Sequence, residues 1–181
     1  AARLTQLIND LLDIDKLVAG KMQFELQFVD ILPLLHECVS LNQTYADKFG
    51  NRILPPIGPT ARLQLDPMRF HQIMANLLSN AAKFSPVGAE IEVWTELHPP
   101  ATLRICVQDQ GPGIPLHFRE RIFDKFSQAD AADARQRGGT GLGLAIVREL
   151  TEKMGGNISF ISEPGQGSCF NLDFPCDCSG L

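Results

Sequence analysis

The chain has 181 residues, 44% of them hydrophobic and 20% charged, which sizes it for one substantial domain plus a small appendage, with a core that needs no staples. With 16 basic and 21 acidic residues the net charge is −5, so no basic surplus exists to displace counterions from a nucleic acid or to hold an anionic membrane. Five cysteines without a C-x-x-C pair exclude a zinc framework and a secreted disulfide scaffold, and point to reduced thiols in a cytoplasmic protein. No apolar run approaches the roughly 20 residues of a membrane span. The first residue is not Met and already lies inside a periodic pattern, so the chain is expected to be a piece of something longer.

Leu4, Leu7, Leu11, Ile14 and Val18 recur at spacings of three and four, and Ile8, Leu12 and Leu17 widen the stripe. That predicts a bundle helix up to Gly20 that seeks partners outside the chain, the alternative being packing on the domain that follows. Phe24, Leu26 and Phe28 then alternate as a strand, and Asp30 reads as the cap of a helix running toward Gly50. Pro55, Pro56 and Pro59 mark a connection, and Leu63 and Leu65 a short strand. Asp66-Pro67 is a strong helix start, an N-cap followed by proline at the first helical position. Ile91, Val93, Thr95 and Leu97 alternate with polar neighbours, as do Leu103, Ile105 and Val107 after a His98-Pro99-Pro100 turn. These predict an antiparallel pair with one buried face. Residues 127 to 138 lack an apolar period and predict a long mobile loop. A helix from near Gly141 to Gly155-Gly156 and a hairpin from Ile158 to Phe174 complete the pattern. The whole reads as α+β, a two-layer α/β sandwich on a mixed, mostly antiparallel sheet, preceded by one bundle helix.

Three constellations carry chemistry. On the helix after Asp66, the residues Arg69, Gln72, Asn76, Asn80 and Lys83 share one narrow face. Two asparagines one turn apart mid-helix cost stability, whereas their amide oxygens beside Lys suit a hydrated divalent cation and a phosphate. Asp109-Gln110-Gly111-Pro112-Gly113-Ile114 sits where a strand ends. There a carboxylate can accept the amino hydrogen of adenine while glycines let backbone approach the ring. Gly138-Gly139-Thr140-Gly141-Leu142-Gly143-Leu144 feeds a helix whose free N–H groups and dipole favour an anion. It lacks the ending of a P-loop and follows no strand, so Walker and Rossmann readings fail.

In this order, with Arg121-Ile122-Phe123-Asp124-Lys125-Phe126 between the second and third motifs, the chain resembles the ATP-binding catalytic domain of sensor histidine kinases. These belong with the gyrase, Hsp90 and MutL type of nucleotide fold (the Bergerat fold). The resemblance covers residues 20–175, leaves residues 1–19 similar to the second helix of the kinase dimerisation domain, and treats 176–181 as a tail. It implies ATP and Mg2+ as cofactors, with Asn80 as metal ligand and Asn76 where gyrase-like relatives carry the Glu that activates water. It places Lys83 and Phe84 at the nucleotide, Asp109 on adenine, and Gly111, Gly113 and Ile114 around the base. Phe123 and Phe126 would anchor a lid over 127–140, from which Arg135 would reach the γ-phosphate, while Gly139, Thr140, Gly141, Leu142, Gly143 and Leu144 would hold the phosphates. Ser127-Gln128-Ala129-Asp130 further resembles hybrid-kinase lids. Arg137 stands where those lids are usually aromatic, and Asp15 where a small polar residue is common.

None of His36, His71, His98 or His117 has the family's phosphoacceptor context; His71 reads as packing. The expected activity is therefore transfer of the γ-phosphoryl to a histidine on a dimerisation helix of the same or a partner protomer, absent here. The implied partners are ATP, that helix, a response-regulator receiver domain and a second protomer, with no nucleic acid. The rivals are a Bergerat-fold ATPase, opposed by the amide at position 76, and a degenerate nucleotide-sensing or interaction domain, opposed by the intact motifs.

Overall fold

The computed structural model describes residues 2–126 and 141–177. Helix α1 spans Ala2–Val18, strand β1 Gln27–Asp30, α2 Ile31–Asp47, β2 Arg52–Ile53, β3 Arg62–Leu65 and α3 Pro67–Phe84. Then come β4 Glu90–His98, β5 Thr102–Gln108, a 3-10 turn Leu116–Arg121, α4 Gly143–Lys153, β6 Asn157–Ser162 and β7 Ser168–Pro175. Five strands pair in the order β2-β4-β5-β7-β6, antiparallel except for β2 with β4, and β1 pairs with β3 in a separate ribbon. This is the expected sandwich: α2, α3 and α4 cover one face of the sheet. Ile91, Val93, Leu103, Ile105, Val107 and Leu172 enter the core from below, against Phe70, Ile73, Met74, Ile146 and Leu150 from above.

The structure corrects several local expectations. The strand at Phe24–Phe28 begins only at Gln27, and of its alternating residues only Phe24 packs on the core: Leu26 and Phe28 are exposed, and Val29 faces inward instead. A two-stranded ribbon has a dry side only where it touches the body, and there the Arg62 guanidinium covers Phe28 instead, 5.1 Å above the ring. Asp30 stands at the N-cap of α2 without a side-chain capping bond. The free N–H of Leu32 is taken by Thr60 Oγ1 at 3.2 Å, and Thr60 in turn donates to Asp30. At Asp177 the chain is still bridged to Arg62, so the expected tail starts as paired backbone.

Helix α1 divides its stripe. Ile14 and Leu17 are buried in the core and Leu7 and Leu11 pack against it, on the side facing α4. Leu4, Ile8, Leu12 and Val18 remain exposed. The alternative of packing on the following domain thus holds for one half of the stripe, and the other half still lacks a cover among the described residues. No described helix is long and apolar enough to cross a membrane.

Candidate functional site

Helix α3 starts where Asp66 Oδ1 accepts from Met68 N at 3.0 Å and Arg69 N at 3.3 Å, with Pro67 in the first turn. Its apolar face, from Phe70 to Ala82, is buried, which fixes its rotation and sets the polar face at the edge of the core. The structure splits that face in two. Arg69 donates to Gln72 at 3.1 Å and Gln72 Nε2 to Asp13 Oδ2 of α1 at 2.9 Å, so the first turns hold α1 and do not belong to a ligand site. Asn76, Asn80 and Lys83, all half-buried, continue toward the C-terminal end beside exposed Phe84. His71 packs as expected: it meets the Cys38 thiol at 3.4 Å and Glu37 at 3.5 Å, and burial pushes Cys38 up to about 12.

Asp109 lies one residue beyond β5 and is 7% exposed. Its Oδ1 accepts from Gly111 N at 2.9 Å and from Ser168 N at 3.0 Å, while Oδ2 takes no hydrogen bond from any described residue. Burial raises its pKa, and the two backbone N–H groups oppose that rise without cancelling it. A buried carboxylate with one oxygen occupied and the other unclaimed is built for a donor from outside.

The loop around it admits few side chains. A Cβ on Gly111 would stand 2.9 Å from the Phe84 carbonyl oxygen, and one on Gly113, at φ +82°, 2.5 Å from that of Glu163. Gly167, at φ +83°, lies directly against the Asp109 carbonyl. Ile114, nearly buried, donates its N–H to Ser162 Oγ at 2.7 Å. Gly165 N bonds Pro112 O at 2.8 Å, so the β6–β7 turn clamps the D-x-G-x-G loop.

The third motif joins the first. Leu142 is fully buried and caps α4 without a side-chain hydrogen bond, Gly141 takes φ +75°, and Leu144 packs on the core. A Cβ at Gly143 would stand 3.3 Å from Asn76 Oδ1, so only a glycine lets the start of α4 approach the asparagine this closely. Phe123 rests edge-on against Phe160 at 6.0 Å with the Arg148 guanidinium 5.7 Å from its ring. Phe126, at φ 60°, is 57% exposed and anchors nothing among the described residues.

Arg135, Gly139, Thr140 and the rest of 127–140 lie outside the described residues. Sequence reasoning missed Ser168, Ser162 and Gly167. Their signal was the Gly165-Gln166-Gly167-Ser168 run, legible as a hairpin turn but silent about the carboxylate it would face.

Comparison with known proteins gives concordant findings. The profile of the histidine kinase-, DNA gyrase B- and HSP90-like ATPase family matches residues 65–177. The sensor protein GacS of Pseudomonas syringae pv. syringae is 40% identical over 94% of the chain and 19% of its own length. The signal transduction histidine-protein kinase BarA of Escherichia coli K12 is 38% identical over 96% of the chain and 20% of its own. A crystal structure of full-length ShkA in complex with AMPPNP superposes with a TM-score of 0.84 at 33% identity, over 98% of the chain and 37% of that protein. The chain thus spans about a fifth of the length of the first two relatives.

Proposed function

The chain belongs to the histidine kinase-, DNA gyrase B- and HSP90-like ATPase family, and from that premise we propose that it is the ATP-binding catalytic domain of a sensor histidine kinase. The observation that carries the reading is Asp109, buried, with one oxygen held by two backbone N–H groups and the other unclaimed beside Gly111 and Phe84. Adenine would give its exocyclic N–H to Oδ2, and Phe84 and Ile114 would flank the ring. The phosphates would run toward the start of α4, where Gly143 lies close to Asn76.

The neutral amide oxygens of Asn76 and Asn80 fit a hydrated magnesium ion, with Asn80 as its ligand; the ion, when bound, would offset phosphate charge. Lys83 would neutralise phosphate from the end of α3, and Arg135 would contribute a second cation. Phosphoryl transfer asks mainly for positioning and charge compensation, which this set supplies. Asn76 cannot take a proton from water, so these residues hold ATP for an external nucleophile rather than hydrolyse it. That nucleophile would be a histidine on a dimerisation helix, of which α1 would be the neighbour, in a homodimer that passes phosphate to a receiver domain in the cytoplasm.

The test is phosphoryl transfer from γ-labelled ATP. The chain alone should label itself negligibly and hydrolyse ATP slowly. A separately supplied dimerisation domain should become labelled at its histidine, weakly, because the covalent tether is missing. Fast hydrolysis without an acceptor, or ATP binding with no transfer to the matching acceptor, would overturn the reading.

A further inference from the structure

The face of the sheet turned away from the helices carries two thiols on neighbouring strands. Cys106 of β5 pairs in register with Asn171 of β7, and Cys169 pairs with Gln108, so the two cysteines are diagonal neighbours across one strand pair. Their register places them at non-hydrogen-bonded positions, since the adjacent Asp109 N donates to Ser168 O at 2.9 Å. Directly opposed side chains approach most closely at such positions, and the diagonal pair shares the same face of the sheet. The other described cysteines stand apart: Cys38 is buried beside His71, and Cys176 follows β7.

We propose that Cys106 and Cys169 are a redox pair, a site at which a hydroperoxide converts two thiols into a cross-strand disulfide and so weakens the nucleotide site. The groups around the pair assign distinct parts. Cys169 is half-buried and within reach of a small oxidant, whereas Cys106 is 1% exposed behind it. The neighbouring Cys106 side chain lowers the pKa of Cys169, whose Sγ donates to Asn171 Oδ1 at 3.4 Å, while the Cys169 side chain, burial and the Glu96 carboxylate raise that of Cys106. Cys169 is then the thiolate and Cys106 the resolving thiol. Glu96, itself bonded by Trp94 and His98, accepts from Cys106 Sγ at 3.3 Å and can receive its proton. Arg104, paired with Asp173 at 2.8 Å, adds positive charge on the same face.

The step balances. The Cys169 thiolate attacks one peroxide oxygen, the O–O bond breaks, and the departing hydroxide takes a proton to leave as water and a sulfenic acid. Cys106 sulfur then displaces the sulfenic hydroxyl, its proton leaving through Glu96, to give one S–S bond and a second water. Two thiols are oxidised by two electrons and the peroxide is reduced by two.

Diagonal neighbours lie just beyond the separation that a disulfide spans without backbone movement. Closure therefore draws β5 and β7 together at Cys169, whose preceding residue is Ser168, a donor to Asp109 Oδ1. A strained cross-link of this kind is also readily reduced, as a reversible site requires. The coupling rests on the reading of Asp109 as the base-binding group; the cross-link does not.

The test treats the full chain with hydrogen peroxide, alkylates free thiols and maps the peptides by mass spectrometry, with ATP affinity measured before, after, and after dithiothreitol. A peptide linking Cys106 to Cys169 is expected, absent in Cys169→Ser and Cys106→Ser. ATP affinity should fall about fivefold, as expected when one charge-assisted hydrogen bond is misaligned, and return on reduction, while Cys169→Ser shows no response to peroxide. Recovery of both cysteines alkylated, a sulfinic acid on Cys169 alone, or linkage to Cys176 or Cys178 would overturn the pair. A mapped cross-link with unchanged affinity would overturn the coupling. Reduced wild-type protein that binds no ATP would instead sink the nucleotide reading, and the peptide map would still decide the pair.

Discussion

Replacing Asp109 by Asn separates the role of this side chain in the fold from its role toward a ligand. Two backbone donors, Gly111 N and Ser168 N, converge on Oδ1. An amide that turned its NH2 toward them would set donor against donor, so the amide oxygen must keep the Oδ1 place and Nδ2 must occupy that of Oδ2. In that orientation a donor meets the adenine N–H where an acceptor stood. The loss of a charge-assisted hydrogen bond together with an unpaired donor costs on the order of 2–3 kcal/mol, or roughly 30- to 150-fold in affinity. The unliganded protein should scarcely notice. The buried charge, whose cost shows as a raised pKa, is removed while both backbone bonds keep an acceptor. Calorimetric titration with Mg-ATP, beside a thermal melt, reads both quantities. Affinity within threefold of wild type would remove Asp109 from the site, and a melt lowered in parallel with affinity would make it a structural residue only.

The same geometry yields further expectations. Gly167→Ala places a methyl on the Asp109 carbonyl at a positive φ, so it should cost on the order of 3 kcal/mol and lower the melting temperature by roughly 10 °C. If Asn80 ligates the metal, Asn80→Ala should weaken ATP binding in magnesium and matter little in EDTA; equal losses in both would assign it to the fold or the base. Because burial raises the Asp109 pKa and adenine needs the ionised form, binding should release a proton. ATP affinity should then fall as the pH is lowered in wild type, already above the ordinary carboxylate range, but stay flat in Asp109→Asn. Leu17→Ala, at a buried position of α1, should cost about 3 kcal/mol of stability. Ile8→Ala on the exposed side should cost under about 0.5 kcal/mol, and equal small losses from both would show α1 undocked.

What the sequence made legible follows from where the information resides. Helix α3 and the β4–β5 pair were readable because local chemistry and burial agree there: the Asp66-Pro67 cap, a wide apolar face, and Ile91, Val93, Ile105 and Val107 in strict alternation. The β1 ribbon misled because alternation reports a pleat and not which side is dry. Thr60 capping α2 across 28 residues, and Gln72 bonded to Asp13 across 59, are invisible to any local rule. Gln72 was therefore grouped with Asn76 although it serves α1. Asp109, Gly111, Gly113 and Asn76 stand out in the sequence through the types of residue their proposed chemistry needs. Ser168 was not, because what it gives is a backbone N–H, which every residue but proline offers equally.

That difference bears on how the proposed site would divide its work. At the base end, every bond that aims Asp109 is already made in the free protein, by Gly111 and Ser168 on the carboxylate and by Ser168 O on its own N–H. Gly165 and Ser162 in turn clamp the neighbouring loop. Binding adenine there would cost little ordering, and one unclaimed oxygen is enough to set polarity because its partner oxygen cannot turn away. At the phosphate end the described groups are half-buried side chains of α3 and the N-terminal end of α4, whose cationic and N–H groups attract charge. Specificity would therefore reside with Asp109 and most of the charge compensation with α3 and α4. Truncating ATP to adenosine should then keep the sensitivity to Asp109→Asn while abolishing that to Asn80→Ala. A sensitivity of adenosine binding to position 80 would place that asparagine at the base, and the proposed layout would be wrong.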